Sequence, residues 1–92
     1  GQGSYIGPGV AIGAGAVVLG SVVYRNAVIA PGARVEGSII GASSIVGDRS
    51  IVREAVIADA VRIGSDNEIL NGMRIFPGAT IADTTVRFSS DR

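Results

Sequence analysis

Residues 18–34, VLGSVVYRNAVIAPGAR, are followed by residues 35–51, VEGSIIGASSIVGDRSI, and the two stretches agree position by position. Residues 52–68, VREAVIADAVRIGSDNE, repeat the pattern, and residues 1–17 carry it at the start of the chain. Residues 69–86 continue it with one extra residue near Arg74. A fixed period of this kind is typical of solenoid folds, in which each repeat stacks on the next.

Large aliphatic residues recur six, six and five residues apart within each repeat. This spacing predicts three short strands per repeat, each ending at a corner, so that the chain winds into a triangular coil with these residues inside. We therefore expect an all-β fold, a parallel β-helix of about five coils of 17–18 residues over residues 1–86. The three aligned series are Ile6, Val23, Ile40, Ile57 and Ile75; Ile12, Ile29, Val46, Ile63 and Ile81; and Val18, Val35, Val52 and Ile69.

A second residue, four places after each aliphatic, is also expected to point inward. Gly and Pro, as in residues 7–9 and 30–32, are expected at or near corners, where turns need permissive or preset φ angles. The second inward residue is usually small in two segments, as in Ala27, Ser44, Ala33, Ser50 and Asn67. In the remaining segment it is larger, as in Tyr5, Val22, Ile39, Val56 and Met73.

The composition excludes several classes of function. The sequence has no His and no Cys, which removes the commonest general base, the commonest zinc ligand, thiolate nucleophiles and disulfides. Eight Arg, no Lys and eight acidic residues give a net charge of zero, unlike the basic surface of a nucleic-acid binder. We predict no catalytic, cofactor-binding or metal-binding residue in this chain.

The uncharged start of the chain raises a membrane alternative. No charged residue precedes Arg25, and the stretch from Tyr5 to Tyr24 is mostly apolar. That stretch also contains several Gly and one Pro, and it shares its repeat with the charged remainder of the chain. We therefore interpret it as part of the solenoid rather than as a membrane span.

Polar side chains are expected to play structural roles. Alignment of the repeats places Glu36 beside Arg53 and Arg49 beside Asp66 on adjacent coils, where exposed ion pairs can form. Asn67 falls in an inward position, and we interpret it as a hydrogen-bonded polar core residue, with a ligand contact as the alternative.

Outward apolar residues are the candidate functional surface. Single exposed apolar residues are normal, but a contiguous stripe would mark an interface with another subunit or domain. Val28 and Ile45 share one position on neighbouring coils. The candidate interface residues are Val17, Leu19, Tyr24, Val28, Ile45, Ile51, Leu70 and Phe76.

The segment rule resembles a known repeat. Residues 6–10, IGPGV, and residues 63–67, IGSDN, match the hexapeptide repeat, an aliphatic residue followed by Gly and, four places on, usually a small residue. The resemblance implies the left-handed parallel β-helix, and the handedness comes from the resemblance.

The chain also resembles the C-terminal β-helix of sugar-nucleotide pyrophosphorylases, through residues 20–23, GSVV, and 37–40, GSII. Its ending, with residues 67–69, 74–78 and 86–91, is similar to bacterial mannose-1-phosphate guanylyltransferases. The resemblance implies an assembly or regulatory domain of an enzyme that joins a nucleoside triphosphate to a sugar 1-phosphate. It further implies a catalytic domain that uses Mg²⁺ and lies N-terminal to residue 1, a homo-oligomer in the cytoplasm, and a C-terminal tail at residues 87–92. No catalytic residue carries over.

Two other functions stay open. Hexapeptide β-helices also form acyltransferase trimers, which typically use a catalytic His that this sequence lacks. A stand-alone scaffold or binding module is the other alternative.

Overall fold

The computed structural model describes residues 3–86, and every regular element in this range is a β-strand. In chain order the strands are β1 (Tyr5–Ile6), β2 (Ala11–Ile12), β3 (Val17–Leu19), β4 (Val22–Val23), β5 (Val28–Ile29), β6 (Arg34–Glu36), β7 (Ile39–Ile40), β8 (Ile45–Val46), β9 (Ile51–Arg53), β10 (Val56–Ile57), β11 (Arg62–Ile63), β12 (Glu68–Leu70), β13 (Arg74–Ile75) and β14 (Thr80–Ile81).

The strands form three parallel sheets, which we call faces 1, 2 and 3. Face 1 has the order β1-β4-β7-β10-β13, face 2 the order β2-β5-β8-β11-β14, and face 3 the order β3-β6-β9-β12. Every third strand in the chain therefore joins the same sheet, which is the predicted triangular coil. The expectation of an all-β parallel solenoid of about five coils is confirmed.

The register of the sheets shows the 17-residue period directly. Val22 pairs with Ile39 on face 1, and Leu70 pairs with Arg53 on face 3, each 17 residues apart. From the next strand onward the step is 18, since Val56 pairs with Arg74. The extra residue therefore lies in the turn at Asn71–Gly72, where both residues have positive φ.

The three aliphatic series fill the interior, as predicted. Val23, Ile40 and Ile57 on face 1 are fully buried, and their counterparts on faces 2 and 3 form one continuous core with them. The two end coils are exceptions, because no described residue covers their outer sides. Ile75 and Ile81 in the last coil are half-buried, and in the first coil Ile6 and Ile12 are 37% and 45% exposed although they belong to the inward series.

The expected second inward position is wrong in one segment. Tyr5 and Ile39 are exposed, and Val22 and Val56 are only half-buried, whereas Ser21 and Ser38 are buried. Side chains alternate along a strand, so the residue directly before an inward aliphatic must point outward. This segment is one residue shorter than the others, so its inward small residue lies three places after the aliphatic and not four. Met73, two places before Ile75, does pack against the core.

Among the described residues, no helix is long and apolar enough to cross a membrane. The apolar stretch from Tyr5 to Tyr24 forms β1 to β4 and the intervening turns. The predicted tail at residues 87–92 lies outside the described residues.

Candidate functional site

The interior of the coil offers structural hydrogen bonds rather than reactive groups. The side chain of Ser44 donates to the carbonyl oxygen of Ala58 at 2.6 Å and accepts the N–H of Val61 at 3.0 Å. Ser50 repeats this pattern with the Gly64 carbonyl and the Asn67 N–H. Every buried side-chain nitrogen and oxygen in residues 3–86 has a hydrogen-bond partner, so these hydroxyls replace part of the backbone ladder at the corners.

Asn67 is fully buried and makes the densest set of these bonds. Its Oδ1 accepts the N–H groups of Thr85 and Val86, both at 2.8 Å, and its Nδ2 donates to the Ala82 carbonyl at 2.9 Å. Longer bonds from Nδ2 reach the carbonyls of Gly64 and Ser65. The interpretation as a hydrogen-bonded core residue is confirmed, since donor and acceptor are both used within the chain.

The charged side chains pair as the alignment predicted. On face 3, Glu36 lies between Arg53, at 3.0 Å, and Arg34, at 2.8 Å. Hydrogen bonds from these two guanidinium groups, Arg34 first, lower the pKa of the Glu36 carboxyl. At a corner, Nε and Nη2 of Arg49 each donate a hydrogen bond of 2.9 Å to a carboxylate oxygen of Asp66. These bonds raise the pKa of the Arg49 guanidinium. All of these groups lie on the outside of the coil, so we assign them to surface ion pairs.

No enclosed site accompanies these charges in the part of the chain that the structure describes. Residues 3–86 contain no pocket and no group of three acidic residues close enough to share a metal ion. Asp59 and Asp83 instead accept backbone N–H groups of the neighbouring coil, from Ala42 and Ser65, each at 2.8 Å.

The predicted interface residues are divided among the three faces. Tyr24 and Phe76 lie on face 1 and are 46% and 76% exposed. Val28 and Ile45 pair on face 2, as predicted, but Arg62 follows them in the same row. Face 3 carries Val17, Leu19, Ile51 and Leu70.

Face 3 interrupts its apolar residues with charges. In one outward row of this face, Arg34 lies between Val17 and Ile51 on the neighbouring strands. In the other outward row, Glu36 lies beside Leu19. A contiguous apolar stripe is therefore absent from this face within residues 3–86. The residues on faces 2 and 3 belong to mixed surfaces, so the structure does not bring the eight predicted residues together.

Sequence reasoning missed the apolar row on face 1. Tyr5, Val22, Ile39 and Val56 pair in direct succession across β1, β4, β7 and β10, and all four side chains point outward. Counting four places forward from the preceding aliphatic predicts that they point inward. That prediction is wrong because this segment is one residue shorter than the other two. Counting backward from the next aliphatic would have placed them outside, since the residue before an inward residue faces out.

Comparison with known proteins places the chain in a family. The model of the family described as GMPPB C-terminal domain matches residues 1–89. Among solved structures, the acetyltransferase domain of PglB from Neisseria gonorrhoeae FA1090 is similar, with a TM-score of 0.60 and 21% sequence identity. The match covers 91% of this chain and 53% of that chain, so this chain spans about half its length. No curated protein matches the sequence. The structural likeness, at this identity, shows the fold alone.

Proposed function

The chain belongs to the GMPPB C-terminal domain family, and from this premise we propose that it is the C-terminal assembly and regulatory domain of a nucleotidyltransferase. The observation that carries the proposal is the extent of the family match, which runs through all five coils. The resemblance of residues 20–23, 37–40 and 74–78 to sugar-nucleotide pyrophosphorylases supports the same assignment.

The parent enzyme would join GTP to mannose 1-phosphate, releasing pyrophosphate and forming GDP-mannose. In this transfer the sugar phosphate oxygen attacks the α-phosphorus, and the bond to the pyrophosphate leaving group breaks. We assign the reaction, and the Mg²⁺ that it uses, to a catalytic domain N-terminal to residue 1. The enzyme would act in the cytoplasm.

The N-terminal end of the coil is a suitable contact for that catalytic domain. Ile6 and Ile12 belong to the inward series yet are substantially exposed, and the first strands lack a described neighbour on that side. Solenoid ends of this kind are normally covered by another element. A packed catalytic domain would bury both side chains and shield the edge of the sheets.

The test uses the natural gene product that contains this chain. Its intact mass is measured first, and pyrophosphate release from GTP and mannose 1-phosphate is then followed in Mg²⁺ buffer. We expect a protein several times longer than 92 residues that releases pyrophosphate only when both substrates are present. A natural product of 92 residues, or one without this activity, would contradict the proposal.

A matched pair of variants tests the end contact. Ile12→Ser and Ile81→Ser alter the two terminal members of the same inward series, so each removes a comparable contact from the coil. In the parent enzyme, Ile12→Ser is expected to lower the temperature at which catalytic activity is lost by more than Ile81→Ser does. Equal effects would mean that the catalytic domain does not pack on the N-terminal end.

The acyltransferase alternative has one supporting observation, the similarity to the PglB acetyltransferase domain. The same preparation of the natural gene product distinguishes the two functions, since acetyl transfer without nucleotidyl transfer would favour this alternative. A protein of 92 residues with neither activity would favour the stand-alone scaffold.

A further inference from the structure

Face 1 presents a continuous apolar surface to solvent. Its first outward row is formed by Tyr5, Val22, Ile39 and Val56, and Arg74 ends it. Tyr5 and Ile39 are 55% and 40% exposed. The residues directly after the inward aliphatics, where the strands of face 1 end, are Gly7, Tyr24, Gly41, Ala58 and Phe76, of which Tyr24 and Phe76 are exposed and Gly7 and Gly41 are buried. We call these five the second row.

The other two faces do not have this character. The outward row of face 2 changes from Val28 and Ile45 to Arg62, and then to Thr80. Face 3 carries the ion pairs of Glu36 with its two arginines. In the described range, face 1 is thus the side on which four successive strands carry no charged outward residue. Exposed apolar surface of this continuity is characteristic of an interface.

We propose that face 1 binds face 1 of a second copy of this chain, with the two coils antiparallel about a two-fold axis that runs along β7. Sheets packed face to face lie about 10 Å apart, so side chains of the two outward rows would meet in between. The inference deepens the assembly role in the proposed function. It does not depend on the reaction that the parent enzyme catalyses.

The antiparallel arrangement matches large side chains with small ones. An axis along the strands reverses the order of the coils and keeps each row opposite itself. Ile39 then packs on the partner copy's equivalent residue at the axis, and Val22 lies opposite Val56. In the second row, Tyr24 lies opposite Ala58, and the exposed Phe76 lies opposite Gly7, which has no side chain to project toward it.

Charge also favours antiparallel coils. Arg74 of each copy would lie over the Tyr5 ring of the other, a cation–π geometry. The two Arg74 side chains would be four strand spacings apart, about 19 Å, which exceeds the Debye length at physiological salt. Parallel coils would instead place both Arg74 side chains at the same end, close enough to repel each other. The positions of the Arg74 side chains therefore favour the antiparallel arrangement of the two copies over the parallel one.

The available area is sufficient for a stable dimer. The chain exposes 4838 Å² of accessible surface. A standard protein interface buries about 800 Å² per partner, which is about one sixth of that surface. One side of a three-sided coil can supply this area, with the apolar rows at its centre.

The test measures the molar mass of the 92-residue chain by sedimentation equilibrium over a wide range of concentration. We expect twice the 9.3 kDa chain mass. Ile39→Arg places two guanidinium groups against each other at the axis, so its dimer dissociation constant should rise at least about 100-fold. The matched control is Ile45→Arg, in the same coil on face 2, where its row neighbour is already Arg62. It should remain dimeric.

Single cysteines test the orientation, because the sequence has none of its own. An equal mixture of Val22→Cys and Val56→Cys should be linked efficiently by a short bismaleimide, since these positions face each other across the about 10 Å that separates the sheets. Each variant alone should be linked far less, because its two cysteines are also offset along the coil by two strand spacings. Far-UV circular dichroism confirms that every variant is folded. A monomeric wild-type chain, equal dissociation of both arginine variants, or equally efficient cross-linking of the single-variant samples would overturn the inference. None of these results bears on nucleotidyl transfer by the parent enzyme, so the two proposals fail separately.

Discussion

Replacing Asn67 should loosen the last coil, because its amide is the main side-chain link between that coil and the one before it. Face 3 ends at β12, so residues 82–86 have no strand pairing of their own. They are held by the bonds of Asn67 to Thr85, Val86 and Ala82, and by backbone bonds from the Glu68 N–H to the Val86 carbonyl and from the Thr84 N–H to the Ser65 carbonyl. The Asp83 carboxylate also accepts the N–H of Ser65. Asn67→Ala removes all of the bonds made by the Asn67 side chain and leaves a small cavity.

The size of the effect follows from the bonds. Three of them are 2.8 to 2.9 Å long, and each is worth roughly 0.5–1.5 kcal/mol net. Thr85 is exposed, so water can replace part of the loss at that position. We expect Asn67→Ala to lower the free energy of unfolding by about 2–3 kcal/mol.

Two further variants at the same position separate hydrogen bonding from packing. Ser50, one coil earlier, donates to one carbonyl and accepts one N–H of the next coil. Asn67→Ser should copy this pattern with Ala82 and Thr85, and so recover roughly half of the loss. Asn67→Asp would direct a carboxylate oxygen at the carbonyls that Nδ2 now contacts, so its pKa in the folded state should be raised. A raised pKa means that Asn67→Asp is most stable at low pH and loses stability as the pH rises above about 4.

Urea unfolding followed by far-UV circular dichroism measures these free energies, since the sequence contains no Trp for fluorescence. The expected order of stability at pH 7 is wild type, then Ser, then Ala, with Asp below Ser. If the Ala variant lost less than about 0.5 kcal/mol, or if Ser and Ala lost equal amounts, the hydrogen bonds of this amide would not hold the last coil.

Three other substitutions test the corners and the surface charge by the same unfolding measurement. Gly20 has a φ of 55° and open space around it, so Gly20→Ala should cost about 1–2 kcal/mol through the backbone alone; a cost near zero would contradict this. Gly41→Ala should cost more, about 3 kcal/mol, because its Cβ would overlap the backbone of Ala58; Gly20→Ala is its control. Glu36→Gln should lower stability at pH 7 by at most about 1 kcal/mol, since the pair is partly exposed. The pKa of Glu36 is lowered in the folded chain, so its contribution is present above its unfolded pKa and is lost as the pH falls through the folded value. Wild type and variant should therefore converge in acid, and a difference that persists there would refute the ion-pair origin.

The repeat made the interior predictable. A residue such as Ile40 meets its copies one coil above and one below, so its environment is known once the period is known. For the same reason the ion pair of Arg49 with Asp66 could be read from the alignment. The prediction failed at Val22 and Ile39, because the segment before them is one residue shorter and the two-residue alternation of a strand, counted from the following aliphatic, decides which side they face.

Side-chain hydrogen bonds were less accessible to sequence reasoning. The inward position of Asn67 could be predicted, but its partners could not, because they depend on where the last coil leaves the strand ladder. The exposure of Ile6 and Ile12 is likewise a property of position along the coil. Ile6 belongs to the same series as the fully buried Ile40, and Ile12 to the same series as the fully buried Ile29.

Formation of the strands does not require the apolar surface of face 1. Arg62 and Thr80 occupy the equivalent outward row of face 2, and Arg34 that of face 3, and their strands pair in the same register as those of face 1. The inward series supplies the core in all three cases, so the outward rows are free to be polar. Three of the four uncharged residues that open the face 1 row, Val22, Ile39 and Val56, are nevertheless aliphatic and partly exposed to water. Since the fold gains little from them, their side chains are better explained by a contact outside the chain, which is what the antiparallel pairing of two copies provides.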